Sequence, residues 1–298
     1  MELCRQAKKP VCSYDEMLYH FYKRYSQSEK PNRYRKYADA FRYTMSQTHP
    51  VIAAGELIVG KPAHSLSEEK AEETATQEYQ KLKEAFLCEK GPDLHPVVDL
   101  QEILALGTNQ LRDKIGEAAK QCGDPEKVEK DLCLMDCLES IAIFAERHFN
   151  TVANLLVLGM TKDEKTAIKR AAIAAVTVPR HPARTFHDAV QCVSFMAYCL
   201  SFDPKEPKGF KPYRLDNLDT CLLPYYEKDV KEGILSPEQA QELLDCLAVQ
   251  INNRMPCDLS DAMTFGGKDN DLTAMLAKAI DHVCTAYKAA GCEACKKS

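Results

Sequence analysis

The chain has 298 residues, 45% of them hydrophobic, enough to bury one large core or two modest ones, which excludes disorder as the starting expectation. Its 39 basic and 44 acidic residues are interleaved and sum to a formal charge of -5, so no broad basic face exists for a phosphate backbone and nucleic acid is excluded as a partner. The opening residues Met1-Glu2-Leu3-Cys4-Arg5 form no apolar core of signal-peptide length, and the most apolar stretch, 189–200, is short and interrupted by Gln191 and Ser194, so the expectation is a cytoplasmic protein with no membrane partner. The 14 cysteines then read as reduced, small apolar side chains, with Cys137, Cys192, Cys199 and Cys246 at apolar positions of helical patterns.

Along the chain, helix starts recur as a side-chain acceptor followed three residues later by a Glu, Asp or Gln that can bond back to the cap. Ser13 with Glu16 is the first such pair. Residues 51–59 read in part as a strand, 67–87 as an amphipathic helix bounded by Lys61-Pro62 and Gly91-Pro92, and Asp99 with Glu102 opens a helix over 100–121. Asp124-Pro125 starts a long helix through Cys133, Ile141 and Phe149, and the pairs Thr161 with Glu164 and Thr185 with Asp188 start two more. Prolines and a glycine make 202–212 a loop. Ser236 with Gln239 is the strongest start, because Pro237 occupies the first helical position and Ala240, Leu243, Leu244, Leu247 and Ile251 follow as one apolar stripe. A second strand is expected over 262–265, ended by Gly266-Gly267, and a last helix over 272–290 that stops at Gly291. The expected fold class is predominantly α with minor β.

Four ordered stretches carry a resemblance: Gly55-Glu56-Leu57-Ile58-Val59-Gly60; Pro182-Ala183-Arg184-Thr185-Phe186-His187-Asp188-Ala189-Val190-Gln191; Arg214-Leu215-Asp216 with Leu223-Pro224-Tyr225-Tyr226-Glu227-Lys228-Asp229, Gly233 and the helix at 241–247; and Thr264-Phe265-Gly266-Gly267. Together they resemble the N-terminal half of glycyl radical enzymes of the pyruvate formate-lyase and glycyl radical dehydratase type. The resemblance implies the N-terminal helical part of a pyruvate formate-lyase-like α/β barrel, with the barrel incomplete, as a single truncated domain over 1–298. It further implies an internal deletion near 61–94, where the family carries a much longer stretch. In that family a glycine Cα radical is stored near the C-terminus and passed to a cysteine thiol inside a dry barrel, which then abstracts hydrogen from substrate. Neither the cysteine loop nor the radical-glycine motif is matched in these residues. The expectation is therefore a chain that is not catalytic by itself, with no catalytic, cofactor-binding or metal residue and no cofactor assigned. A homo-oligomer or a complementary glycyl radical enzyme chain is the implied partner, with a helical interaction module as the alternative.

Cys292 and Cys295 have metal-ligand spacing but no second pair nearby, and Gly291 ahead of Cys292 reads as a helix stop. Cys133 and Cys137, four apart on a helix, read as packing. His181, Arg184 and His187 could bind an anion or act in acid–base work, but backbone bonding is the favoured reading. Arg214 and Asp216 are open between a pocket-facing pair and a buried ion pair that fixes the loop.

Overall fold

The computed structural model describes residues 14–52, 56–60, 66–89, 99–155, 161–206, 208–211, 213–254, 263–267 and 270–289. These contain eleven helices: α1 (Asp15–Gln27), α2 (Arg33–Gln47), α3 (Glu68–Thr74), α4 (Gln77–Cys88), α5 (Leu100–Gln121), α6 (Pro125–Leu155), α7 (Lys162–Thr177), α8 (Phe186–Leu200), α9 (Leu218–Lys231), α10 (Pro237–Arg254) and α11 (Asp271–Ala289). The expected minor β content shrinks, among the described residues, to isolated bridges, Phe202 with Phe210, Leu215 with Met263 and a bridge at Val51.

Helix α8 is the axis of the molecule. Phe186 and every residue from Asp188 to Cys199 is buried, so the helix is enclosed on all sides, and α5, α6, α7, α9 and α10 pack against it. Each large apolar side chain so enclosed contributes about 1.5–3 kcal/mol. Around α1 the core is aromatic instead. Phe21 meets Tyr37 and Phe86 edge-on, both with ring centroids 5.2 Å apart, and Tyr25 meets Phe86 at 4.8 Å.

The caps follow the local sequence in most cases. Thr185 and Asp188 form a reciprocal capping box on α8. Ser236 and Gln239 bond each other's backbone N–H at 3.2 and 3.0 Å, with Pro237 opening α10. Asp99 caps α5 by accepting from Gln101 N–H at 2.9 Å, while the Glu102 carboxylate turns to Lys114 rather than back to the cap. Thr161 stands one residue ahead of α7; the side chain of Glu164 lies outside the described residues. The first pair departs from expectation. Tyr14 is the N-cap of α1 but its side chain does not bond the helix end, its hydroxyl donating instead to Tyr198 O at 3.2 Å; Ser13 lies outside the described residues, and the Glu16 carboxylate is drawn to His49 and Lys70.

Two expected helices are broken. The stretch 67–87 divides into α3 and α4 at Ala75 and Thr76, because the Thr76 hydroxyl accepts from Tyr79 N–H and starts a new helix. Helix α5 breaks at Gly107, whose φ of 67° is left-handed and which a Cβ would bring to 2.5 Å from the His181 carbonyl carbon. The break lets Thr108 N–H reach Pro179 O at 2.7 Å and Ala183 N–H reach Leu104 O at 2.9 Å, which seats the approach to α8. The expected helix at 272–290 is α11; Ala290 and Gly291 lie outside the described residues. So do Lys61-Pro62 and Gly91-Pro92.

Candidate functional site

Along one side of α8, His187, Gln191 and Ser194 recur at helical spacing, and all three meet the segment 56–60. The Gln191 amide acts as a substitute strand: its carbonyl accepts from Val59 N–H at 2.8 Å and its NH2 donates to Val59 O at 2.7 Å. Gln250 of α10 donates to Ile58 O at 2.8 Å and accepts from the Ser194 hydroxyl at 2.6 Å. His187 Nε2 donates to Leu57 O at 2.6 Å. Gly60, at φ 125°, brings its backbone against Ser194 and Phe195, both 3.3 Å from where a Cβ would stand. Ile58 and Val59 are thereby fully buried without a β-sheet to pair their backbone.

The N-terminus of α8 is held by two carboxylates. Asp188 accepts from Arg184 and Thr185 N–H at 3.1 and 3.3 Å, and Asp229 of α9 accepts from Phe186 N–H at 2.7 Å. Negative charge there suits the helix dipole. Lys228 Nζ donates to Arg184 O at 2.8 Å, so α9 is tied to the same turn.

A third node lies where 215–219 meets 263–267. Thr264 N–H donates to Leu215 O at 2.9 Å and Leu218 N–H to Thr264 O at 3.1 Å. Asp219, fully buried, then gathers the turn: it accepts from Gly266 N–H at 3.0 Å, the Thr273 hydroxyl at 2.7 Å, Thr220 N–H at 2.9 Å and the Asn270 amide at 3.4 Å. Burial alone would raise its carboxyl, but the bonds from Gly266, Thr273, Thr220 and Asn270 outweigh it and hold it below the usual range. The four sequence segments are thus bonded to one another in a continuous scaffold.

A family model described as pyruvate formate lyase-like matches residues 64–276. The chain belongs to this family. Among curated relatives of this pyruvate formate lyase-like chain, the isethionate sulfite-lyase of Nitratidesulfovibrio vulgaris is 26% identical over 61% of the chain and 25% of the relative. The trans-4-hydroxy-L-proline dehydratase of Clostridioides difficile is 42% identical over a shorter stretch, 26% of the chain and 9% of the relative. A glycyl radical enzyme structure from Archaeoglobus fulgidus superposes with a TM-score of 0.77 at 18% identity, over 95% of this chain and 46% of that one. Hydroxyproline dehydratase from Clostridioides difficile, with substrate bound, gives a TM-score of 0.74 at the same identity and coverage of 95% and 46%. The chain spans about a quarter of the length of the isethionate sulfite-lyase and under half of these structures.

The residues singled out by sequence do not converge on a reaction centre. His181 and Arg184 are exposed, while His187 turns inward; burial lowers its affinity for a proton, and its Nε2 is committed to Leu57. Backbone bonding is its role, as expected, although the carbonyl it reaches is 130 residues away rather than in its own helix. Arg214 and Asp216 pair at 3.4 Å with both side chains about 60% exposed, which overturns the buried ion pair; Asp216 accepts instead from the Thr264 hydroxyl.

Cys133 is buried beside Cys137, whose thiol is pushed well up by its bond to Cys133 and then by burial, in keeping with packing. Burial raises Cys192 and Cys246 to about 12 and Cys221 to about 11, so these sulfurs stay protonated and are poor nucleophiles. Among the described residues no three His, Cys, Asp or Glu side chains are arranged to hold a metal, and no helix is long and apolar enough to cross a membrane. Cys292 and Cys295 lie outside the described residues. The organising groups that the sequence did not point out are Asp219 and Gln250, and Glu16 was read only as a capping residue, since each acquires its role from partners distant in the chain.

Proposed function

We infer that this chain is the N-terminal helical part of a glycyl radical lyase or dehydratase, a scaffold for an α/β barrel that is not catalytic by itself. The radical glycine and the thiyl cysteine are contributed by sequence other than these 298 residues, in the same polypeptide or in a complementary chain. One observation carries the reading: the buried polar side chains that join the four matching segments, Gln191 and Asp229 within them and Ser194, Gln250 and Asp219 beside them, are committed to backbone groups or to one another. The α3–α4 pair stands, in this proposal, where the family carries a longer stretch near 61–94. The protein would work in the anaerobic cytoplasm as an oligomer or with its complementary chain.

The test is anaerobic incubation of the purified chain with a glycyl radical activating enzyme and S-adenosylmethionine, followed by electron paramagnetic resonance. No glycyl doublet is expected from this chain alone, and one is expected when a chain carrying the missing loops is added. A doublet from this chain alone overturns the proposal.

A further inference from the structure

Among the described residues five large apolar side chains are exposed: Tyr43, Leu87, Ile173, Val176 and Ile234. Tyr43 and Leu87 lie apart, on α2 and α4. Single exposed apolar residues are ordinary on a protein surface, whereas a group of them with an ordered charged rim calls for a partner. Ile173, at 63% the most exposed of the five, and Val176, at 40%, lie one turn apart on the outer stripe of α7, with Lys169 and Arg170 exposed one turn ahead of them. The inner stripe of the same helix, Ile168, Ala171, Ala172 and Ala175, is buried, so the outer pair takes no part in the core. From Lys165 to Thr177 the helix has no acidic residue, and the rim of the pair is cationic.

Ile234, 55% exposed, stands on the turn that ends α9. Gly233 makes this turn with a left-handed φ of 70°, and the N–H groups of Ile234 and Leu235 both donate to Asp229 O, at 2.9 and 3.2 Å. The backbone therefore holds Ile234 at the surface. Glu232 and Glu238 on either side of it are exposed, against one exposed cation in the turn, Lys231, because Lys228 donates to Arg184 O. Its rim is anionic. Both patches lie at the same end of α8. Residues 178–185 join the end of α7 to the first turn of α8, and Asp229, whose carbonyl anchors the Ile234 turn, accepts from Phe186 N–H in that same first turn.

We propose that this end of the molecule pairs with a second copy of the chain about a two-fold axis, Ile173 and Val176 of each copy packing against Ile234 of the other. The charges select a second copy as the occupant: a cationic apolar patch is complemented by an anionic apolar one, and the chain carries that counterpart at the same end. A two-fold operation sets each patch opposite its complement and uses both at once, so the pair closes and neither patch is left to recruit a third copy. Contact of like patches would instead bring Lys169 and Arg170 against their own equivalents. The apolar side chains supply the affinity, while the rims fix the register and exclude wrong pairings. With three large apolar side chains per copy the contact is small, and the dimer is reversible. The pairing goes beyond the scaffold reading and does not depend on it: a monomer leaves the radical test undecided, and a glycyl doublet from the chain alone leaves the pairing standing.

Sedimentation velocity of the whole chain over roughly 1–100 µM is expected to show a monomer–dimer equilibrium. Ile173→Glu sets a carboxylate against Glu232 and Glu238, and Ile234→Lys sets an ammonium against Lys169 and Arg170; each is expected to raise the dissociation constant by about tenfold or more. Both positions are exposed, so the circular dichroism of the variants is expected to match that of the unaltered chain. Leu87→Glu, outside both patches, is expected to leave the dimer as it is. Two charge variants decide the geometry. Lys169→Glu with Arg170→Glu makes both patches anionic, Glu232→Lys with Glu238→Lys makes both cationic, and each variant alone is expected to pair more weakly than the unaltered chain. Mixed, they are expected to form a heterodimer, because both contacts then join opposite charges. A chain that stays monomeric throughout the range overturns the proposal. So does a dimer that Ile173→Glu and Ile234→Lys leave equally tight, growth beyond the dimer, or a mixture of the two charge variants that pairs no better than either one.

Discussion

The clamp around 56–60 and the strap at 68–74 solve the same problem in opposite ways. Each holds a stretch of chain against a helix, yet the clamp uses neutral side chains of α8 and α10 in a dry interior, whereas α3 is held on α1 by charges, Lys70 on the buried Glu16 and Glu73 on the part-exposed Lys23. Neutral buried bonds are costly to lose and indifferent to pH and salt; ion pairs near water are weak and respond to both. The clamp therefore fixes the scaffold, and the docking of α3 on α1 is the more sensitive to salt.

Gln191→Ala breaks the comparison most severely. It strands the buried N–H of Val59, leaves its C=O only the Ser194 hydroxyl at 3.4 Å and opens a cavity, so guanidinium unfolding is expected to show a loss of roughly 3–5 kcal/mol. Asp219→Ala removes the acceptor of four donors in the same buried manner and is expected to cost roughly 2–4 kcal/mol, with Asp219→Asn costing less because one oxygen acceptor survives.

A smaller effect separates the regions by pH. The carboxyls of Glu16 and Asp219 are lowered in the fold, so the unfolded chain binds protons first as pH falls. Their contribution to stability is complete above the ordinary carboxylate range, near the 4.5 and 3.8 of unperturbed Glu and Asp, and is lost progressively below it. Urea unfolding of Glu16→Gln is expected to show a shallower acid dependence than the unaltered chain, and Gln250→Ala an unchanged one. Smallest of all is the strap itself. Lys70→Met is expected to lower global stability by no more than about 1 kcal/mol, and 1 M salt to loosen 68–76 in exchange measurements while leaving 57–60 protected.

Much of the helical layout follows from neighbours in sequence. Thr185 with Asp188, Ser236 with Gln239 and Pro237, and the cap at Asp99 are satisfied within one turn, and such local bonds read directly from spacing. The expectation of a strand in part of 51–59 met, among the described residues, only a bridge at Val51, while 57–59 is placed without strand pairing. An apolar run reports that a segment is buried, and the identity of the group that pairs its backbone, here Gln191 from 132 residues away, carries no local signal. Gly107 shows the same limit: the apolar period runs through it, and only the 179–183 loop lying against it demands the left-handed turn. At the candidate site, the segments were legible while their buried hub was not, since Asp216, the carboxylate that drew attention, is exposed and Asp219, three positions on, is the hub.

The sequence by itself determined the helices, most of their caps and membership of the pyruvate formate lyase-like family, because periodicity, capping and ordered motifs are properties of short stretches. Tertiary structure alone decided which carboxylates are buried centres, which thiols stay protonated and which helix is fastened by charge alone. Those properties depend on desolvation and on partners such as His49 and Lys70 for Glu16, 33 and 54 residues away, which meet only when the chain is folded.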